Sequence, residues 1–121
     1  MSVFAAINRE HWILETSCFF VVKDKYPVTS GHLLIISKRE APDFFELTSD
    51  EQVDLIEAIN QSKQYLSETY KVTDYNIGMN CGLNAGQTVF HFHCHIIPRR
   101  KGDMDDPRGG VRHSVAGKGY Y

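Results

Sequence analysis

The stretch GQTVFHFHCHIIPRR carries three histidines, His91, His93 and His95, at every second position. The chain has six histidines in all, so half of them fall within five residues. Side chains two residues apart in a β-strand project from the same face. The spacing therefore predicts a strand that presents three imidazoles together towards solvent or a ligand. The residues on the other side of that strand should belong to the core: Phe90, Phe92, Cys94 and Ile96.

Three imidazoles in this arrangement can do nucleophilic chemistry on phosphorus. Neutral imidazole is a good nucleophile, and an ordinary pKa of about 6.5 leaves it largely uncharged at neutral pH. Neighbouring imidazoles can orient it, stabilise phosphate oxygens and move a proton. The preceding loop suits an anionic ligand, because Gly82 and Gly86 let backbone N–H groups approach it. Gln87 and Thr88 add side-chain donors.

A metal site is an alternative, since imidazole is a common zinc ligand. In an extended strand the Cα atoms of His91 and His95 are about 13 Å apart, at about 3.3 Å per residue. Both rings would reach a shared metal only at full stretch, and His93 would crowd it. Tetrahedral binding by all three is therefore poor geometry, but two of them with ligands from elsewhere remain an option. A histidine row without chemistry is a further interpretation, which three residues in phase beside a glycine-containing loop disfavour.

Length and composition indicate one globular domain across residues 1–121. The hydrophobic content of 42% and charged content of 23% are ordinary for a soluble protein. No apolar run approaches the roughly 20 residues that span a bilayer, and the N-terminus does not resemble a signal peptide. The three cysteines lack a C-x-x-C pair, so we expect no disulfide framework, no membrane association and a cytoplasmic location.

The charge is distributed unevenly along the chain. Residues 1–98 carry 7 Lys and Arg against 12 Asp and Glu, whereas residues 99–121 carry 6 against 3. The basic part begins with Arg99, Arg100 and Lys101, directly after the histidines. It is either a solvated tail or the border of an anionic ligand. A nucleic-acid partner is not expected, because there is no broad basic excess and no nucleic-acid-binding motif.

Strands and one helix surround the histidine row. HWILETSCFFVV predicts two short strands, HLLIISK a buried strand and DYNIGMN a further strand. CGLNAG predicts a turn, and QTVFHFHCHIIP a long strand that carries the histidines. The first two and the last two strands are close enough in sequence to pair as hairpins. About residues 102–121 should form an irregular C-terminal tail, since this part holds five of the nine glycines.

The helix has a clear start signal. Thr48 and Glu51 have the spacing of a capping box, which predicts a helix from about Ser49 to Tyr70. One face of this helix should contact the sheet, with Ile56 beside it. That face comprises Leu55, Ile59, Leu66 and Tyr70. The fold class is therefore α+β, an antiparallel sheet of about five strands with one main helix.

The motifs resemble those of the histidine triad (HIT) family. HFHCHII matches its signature of three histidines, each followed by an apolar residue. The preceding AGQTV resembles the segment that comes before the three histidines in that family. DKYPVTSGHLLIISK resembles the other hallmark, an Asp or Asn followed eight residues later by a His that opens a strand. These residues are Asp24 and His32 here. The resemblance covers about residues 18–101 and implies the HIT-like fold.

The resemblance assigns a role to each histidine. His93 would be the nucleophile that attacks the α-phosphorus of a nucleotide. His91 and His95 would flank it, with His95 near a phosphate oxygen, and His32 would join the histidine network. The third histidine favours the hydrolase branches, because nucleotidyl-transferase and phosphorylase members typically have Gln there.

Substrate-binding roles follow from the same resemblance. Gln87 and Thr88 would hold the phosphate and the leaving-group side, next to Gly86. Asp24 would contact the ribose hydroxyls, and Asn80 would help to bind the phosphate region. The sequence departs from the family at Ser30, where Pro is frequent, and at Glu40, where many members have His.

The continuation PRRKGD resembles the fragile-histidine-triad branch, although the tail is shorter than in that branch. The resemblance implies hydrolysis of a dinucleoside polyphosphate, such as diadenosine triphosphate or tetraphosphate, through a covalent nucleotidyl-histidine. Alternatives are a nucleoside phosphoramidate or acyl-nucleotide hydrolase, and a nucleotide-binding signalling module with little turnover. A metal-dependent hydrolase is a further alternative.

No bound metal or other cofactor is expected, and magnesium can assist through the substrate phosphates. A homodimer is expected, because the apolar blocks FFEL and LIEAINQSKQYL exceed what one short sheet needs to cover itself. The family resemblance points to the same assembly.

Overall fold

The computed structural model describes all 121 residues and has the expected α+β architecture. Five strands form one antiparallel sheet in the order β1-β2-β3-β5-β4. The strands are β1 Leu14–Glu15, β2 Phe19–Lys23, β3 Leu33–Ser37, β4 Asp74–Gly78 and β5 His93–Arg99. One helix, α1, spans Ser49–Tyr70. Short 3₁₀ turns cover Arg9–His11, Phe44–Glu46, Leu83–Ala85 and Gly110–Ser114. Both predicted hairpin pairings, β1 with β2 and β4 with β5, are confirmed.

Helix α1 begins and ends at the predicted residues. The Thr48 hydroxyl accepts from the Glu51 amide, and the Glu51 carboxylate accepts from the Thr48 amide, so the capping box is confirmed. The residues that face the sheet are buried: Leu55, Ala58, Ser62 and Leu66. The predicted Ile59 and Tyr70 are only partly buried, while Ile56 is exposed.

The sheet has two differently covered faces. The face towards α1 forms the main core, to which alternate residues of β2, β3 and β5 contribute: Phe19, Val21, Leu33, Ile35, Cys94 and Ile96. The opposite face carries a smaller apolar cluster of Phe20, Val22, Leu34 and Ile36. Three residues that precede β1 pack on this cluster: Phe4, Ile7 and Trp12. The beginning of the chain therefore covers part of the face that α1 leaves open.

The predicted long strand is shorter than expected, because β5 begins at His93 and not near Gln87. The Gln87 side chain donates to the carbonyls of Pro42 and Val89. These bonds fold the chain into a loop before it can run beside β4. Phe92 is buried as predicted, but Phe90 is 52% exposed, so its assignment to the core was wrong.

The C-terminal tail follows the expectation of mostly irregular structure. Its one regular element is the 3₁₀ turn Gly110–Ser114, which contacts β4. All three cysteines are free thiols. None of the helices combines the length and the apolar composition that a bilayer crossing requires.

Candidate active site

Strand register places the histidines. His93 lies opposite Ile36 and His95 opposite Leu34, on the face that α1 does not cover. Side chains of the β2–β3 hairpin alternate between the two faces of the sheet. By this alternation Asp24 and His32 lie on the same face as His93 and His95. The Asp24 amide donates to the His32 carbonyl at 2.9 Å, which extends the β2–β3 ladder by one pair. The two sequence hallmarks therefore meet on one surface.

His93 is held in one ring orientation. Its Nδ1 lies 2.9 Å from the backbone carbonyl of His91. A carbonyl only accepts, so Nδ1 carries the proton and Nε2 keeps its lone pair. The ring of Phe4 meets the His93 ring edge to face, with centroids 4.8 Å apart. His93 is half-buried, and its free nitrogen is the one that a nucleophile requires.

We expected all three histidines to share an open face, but His91 does not lie on it. It precedes β5 and is 1% exposed. Its Nε2 donates to the Ser37 carbonyl at 2.6 Å, so its Nδ1 accepts from the hydroxyl of Ser2 at 2.5 Å. The strand alternation on which the expectation rested does not extend to this residue. His91 therefore has no ring nitrogen left for a ligand.

His95, His32 and Asp24 form a second polar group on the other side of His93. The Val28 amide donates to His32 Nδ1 at 3.0 Å, so the neutral His32 ring carries its proton on Nε2. That N–H lies 2.9 Å from His95 Nδ1 and 3.3 Å from the Asp24 carboxylate. With Nδ1 accepting, His95 carries its proton on Nε2, which has no acceptor within the chain. It is free to donate to a ligand.

Burial keeps both of these histidines uncharged. It lowers the pKa of His32, against the opposing influence of the Asp24 carboxylate. It also lowers the pKa of His95, and nearby His32 and His93 lower it further. Both rings are therefore neutral at neutral pH and act as hydrogen-bond donors, not as cations.

Asp24, His32 and His95 are also the group best placed to hold a metal ion, with ligand atoms within 4.8 Å of one another. The hydrogen bond from Val28 argues against it. A metal on His32 Nε2 would require a ring with no proton on either nitrogen, because Nδ1 already accepts an amide N–H. The cluster fits a hydrogen-bonded network better than a metal site.

The loop before β5 supplies the predicted substrate-binding residues. Asn80 and Thr88 are exposed and make no hydrogen bond within the chain. Gly86 has φ 91°, a left-handed conformation that favours glycine, and a Cβ there would lie 3.8 Å from Asn80. Gln87 is 2% exposed and binds the Gly82 amide as well as two carbonyls. Its side chain shapes the loop, and contact with a phosphate would require it to give up these bonds.

A cavity of about 760 Å³ opens beside His95 and His32. Its floor is formed by β4 and β5, and the C-terminal turn forms one wall. The loop contributes Asn80 and Gly86. Apolar side chains from three parts of the chain contribute to the lining, including Val28, Ile97, Val111 and Val115. The volume lies within the roughly 300–1,000 Å³ of small-molecule sites.

Arg99, the last residue of β5 and the first of the predicted basic group, is not a free cation. Arg99 binds Asp103 through two nitrogens and also contacts Asn76. The guanidinium lowers the pKa of the Asp103 carboxyl to about 2. The charge of Arg99 is therefore already paired, whereas Lys101 is exposed.

Sequence reasoning missed the beginning of the chain. Ser2 contacts His91, Phe4 contacts His91 and His93, and the Ser2 amide donates to the Glu40 carboxylate. That donation lowers the pKa of Glu40. These residues form no motif, and Ser2 lies 89 positions from His91, so no local pattern could have indicated the contact. The part played by Val111 and Val115 in the cavity was missed for the same reason.

Comparison with known proteins gives a consistent result. The HIT domain family matches residues 6–102. The chain is 39% identical over 80 residues to the asymmetrical bis(5′-nucleosyl)-tetraphosphatase of Schizosaccharomyces pombe, covering 66% of the chain and 44% of that protein. It is 33% identical over 100 residues to the bis(5′-adenosyl)-triphosphatase of Dictyostelium discoideum, covering 83% and 67% respectively.

A solved structure agrees with these matches. The NitFhit protein of Caenorhabditis elegans superposes with a TM-score of 0.77 at 37% identity, covering 89% of the chain and 26% of that protein. The chain thus spans less than half of the S. pombe and C. elegans proteins.

Proposed function

The chain belongs to the HIT domain family, and we propose that it hydrolyses dinucleoside polyphosphates at the α-phosphorus through a nucleotidyl-His93 intermediate. The observation that carries the proposal is the fixed ring of His93. Its Nδ1–H donates to the His91 carbonyl. Nε2 therefore keeps a free lone pair, on the face of the sheet that α1 does not cover. The relatives named as polyphosphatases support the substrate class.

In the first step, His93 Nε2 attacks the α-phosphorus. The bond from phosphorus to the bridging oxygen breaks, and its electron pair leaves with the second nucleotide. The ring becomes a cationic nucleotidyl-imidazolium, and the His91 carbonyl, which accepts from Nδ1–H, stabilises that charge. His95 Nε2–H donates to a phosphate oxygen, with His32 behind it to hold the ring.

In the second step, water attacks the same phosphorus. The P–N bond breaks and its electron pair returns to His93 Nε2, which restores the neutral ring. Nucleoside monophosphate is released, and the proton of the attacking water passes to solvent. No metal takes part in the bonding changes, and magnesium would act only by binding the phosphates of the substrate.

The cavity beside His95 would hold the leaving nucleotide. It adjoins the reacting groups, and its apolar walls suit a nucleobase while the Asn80 amide suits a phosphate or sugar oxygen. Exposed Thr88 can donate to the phosphates. Asp24 can reach a ribose hydroxyl only in competition with His32, towards which its carboxylate is turned.

The test is the intact mass of enzyme quenched in mild base while it turns over diadenosine tetraphosphate. A phosphorus–nitrogen bond to imidazole survives base and breaks in acid, because protonation makes the ring a better leaving group. Wild type should carry one added nucleoside monophosphate, and His93→Asn should carry none. His93→Asn should also lose at least roughly 10⁴-fold in kcat with little change in nucleotide affinity. A His93→Asn enzyme with near-normal turnover would contradict the assignment.

A substrate panel separates the alternatives. Adenosine 5′-phosphoramidate turned over faster than any dinucleoside polyphosphate would indicate a phosphoramidate hydrolase, and nucleotide binding without turnover would indicate a signalling module. Dialysis against a zinc chelator should leave activity intact once magnesium is restored. Activity that only zinc recovers would indicate a metal-dependent hydrolase.

We also propose that the chain forms a homodimer and works in a reducing compartment such as the cytoplasm. Apolar side chains are exposed near the start of α1, including Phe45, Val53 and Ile56, and a second copy would cover them. Light scattering should give twice the 13.8 kDa chain mass at micromolar concentration. A single-chain mass would contradict the dimer.

A further inference from the structure

The N-terminal segment, residues 1–7, lies against the histidine row. Ser2 bonds to the His91 ring, and Phe4 packs edge to face on His91 and His93, with centroids 5.9 Å and 4.8 Å away. Phe4 and Ile7 also pack on the apolar cluster of the same sheet face. The segment is therefore part of the wall around the proposed nucleophile.

Ser2 has a defined hydrogen-bonding role. Its hydroxyl accepts from the Ala5 amide at 3.1 Å and donates to His91 Nδ1 at 2.5 Å. Its own amide donates to Glu40 at the end of the β3 region. The hydroxyl proton is directed at His91, because the ring proton of His91 is on Nε2 and Nδ1 can only accept.

The His91 ring is consequently held at both nitrogens, by Ser37 and by Ser2. Without Ser2, a buried Nδ1 loses its donor, and the ring is free to change its tautomer or turn. The backbone carbonyl of His91 fixes the ring of His93, so movement of His91 changes where His93 Nε2 points. Small displacements of this kind are costly in rate.

We propose that Ser2, held by Glu40, is a positioning residue that keeps His93 in its nucleophilic tautomer by locking His91. The proposal rests on the proposed function insofar as it takes His93 as the nucleophile. Ser2 does not touch substrate; it acts on the reacting nitrogen only through His91.

The first experiment is a double-mutant cycle on turnover of diadenosine tetraphosphate. Ser2→Ala should lower kcat roughly tenfold with KM little changed, since a misplaced group costs up to about 100-fold. His91→Phe should lower kcat by a similar factor. Because Ser2 acts through His91, the double variant should be no worse than His91→Phe alone. Losses that multiply in the double variant would overturn the proposal.

Matched controls come from the same segment and from Glu40. Val3→Ala alters an exposed side chain of the same segment and should keep wild-type kcat. Glu40→Gln keeps an oxygen that accepts from the Ser2 amide and should stay near wild type. Glu40→Ala removes that acceptor and should lower kcat in the same direction as Ser2→Ala, by a smaller factor. A normal Glu40→Ala enzyme would exclude Glu40 from the role.

The second experiment does not depend on turnover. Long-range ¹H–¹⁵N spectra of the imidazoles should show His93 as a single Nδ1–H tautomer in wild type and in Val3→Ala. In Ser2→Ala the His93 signals should become a mixture of tautomers. A His93 that stays entirely Nδ1–H in Ser2→Ala would overturn the proposal, even if kcat fell or His91→Phe failed to fold. If wild type lacks turnover while the tautomers respond as expected, the proposed function fails and the positioning role of Ser2 stands.

Discussion

His93 has two flanks that look alike in sequence and differ in the folded molecule. On one side His91 is buried, with both ring nitrogens bound to the chain. On the other side the His95 side chain is 27% exposed, borders the cavity and keeps one N–H without an acceptor. The first flank is a fixed support, and the second is available to a ligand.

Equal spacing of the histidines in the sequence does not give them equal roles in the folded molecule. The flank at His91 is closed by the beginning of the chain, whereas the flank at His95 borders the hairpin that carries Asp24 and His32 and stays open to the cavity. A closed flank sets the orientation of the nucleophile, while an open flank can stabilise charge on the phosphoryl group. Replacing His91 or His95 by the same residue should therefore have different consequences. At His91 the change should chiefly lower stability, and at His95 it should chiefly lower activity.

The largest effect is expected from His95→Phe. Phenylalanine keeps the size of the ring but cannot donate to a phosphate oxygen, so kcat should fall roughly 100- to 1,000-fold. Stability should change little, because the His32 N–H still has the Asp24 carboxylate as an acceptor. Steady-state kinetics and urea denaturation measure both quantities. Near-normal kcat would show that the open flank has no part in the reaction.

The matched substitution His91→Phe should chiefly affect stability. It leaves the buried Ser37 carbonyl without its donor, which costs about 1–3 kcal/mol of unfolding free energy. The loss of kcat should be smaller than in His95→Phe, since the backbone carbonyl that holds His93 remains. Urea unfolding curves compared with wild type give the difference. A His91→Phe protein as stable as wild type would mean that this flank is not a fixed support.

A smaller effect is expected from Val111→Asp in the wall of the cavity. A carboxylate there would repel the leaving polyphosphate and remove apolar contact with its base. For diadenosine tetraphosphate, kcat/KM should fall roughly tenfold, about 1.4 kcal/mol. Adenosine 5′-phosphoramidate has a small leaving group that does not reach the cavity, so its kcat/KM should stay unchanged. Equal losses for both substrates would remove the cavity from the leaving-group assignment.

The smallest effect concerns pH. Burial lowers the pKa of His32 and His95 in the folded chain, so the unfolded chain binds more protons once the pH falls below about 6.5. Unfolding free energy should therefore decrease as pH falls from about 6.5 towards the folded pKa values and be insensitive to these groups above that range. Urea midpoints between about pH 7.5 and about pH 5 should fall more steeply for wild type than for His95→Phe. Parallel curves would contradict the shifted pKa of His95.

Local patterns predicted most of the scaffold. The capping box at Thr48 fixed the start of α1, because its two hydrogen bonds join residues three positions apart. Continuous apolar runs predicted β2 and β3, and alternating apolar residues predicted the buried side of β5, where the side-chain period of two decides which face is core. The pattern failed at Phe90, because the chain forms a loop there, with a long-range hydrogen bond from Gln87 to Pro42, and β5 begins only at His93.

The histidine row and the two-part motif were sufficient to identify the family, and strand alternation correctly placed His93 and His95 on one face. These features can be read from the sequence, because motif spacing and strand alternation are local properties of the chain. The different roles of His91, which is a buried support, and His95, which faces a cavity, depend on long-range packing. Their environments come from Ser2, from Val28 and from the C-terminal turn, and contacts between such distant segments depend on how the whole chain packs.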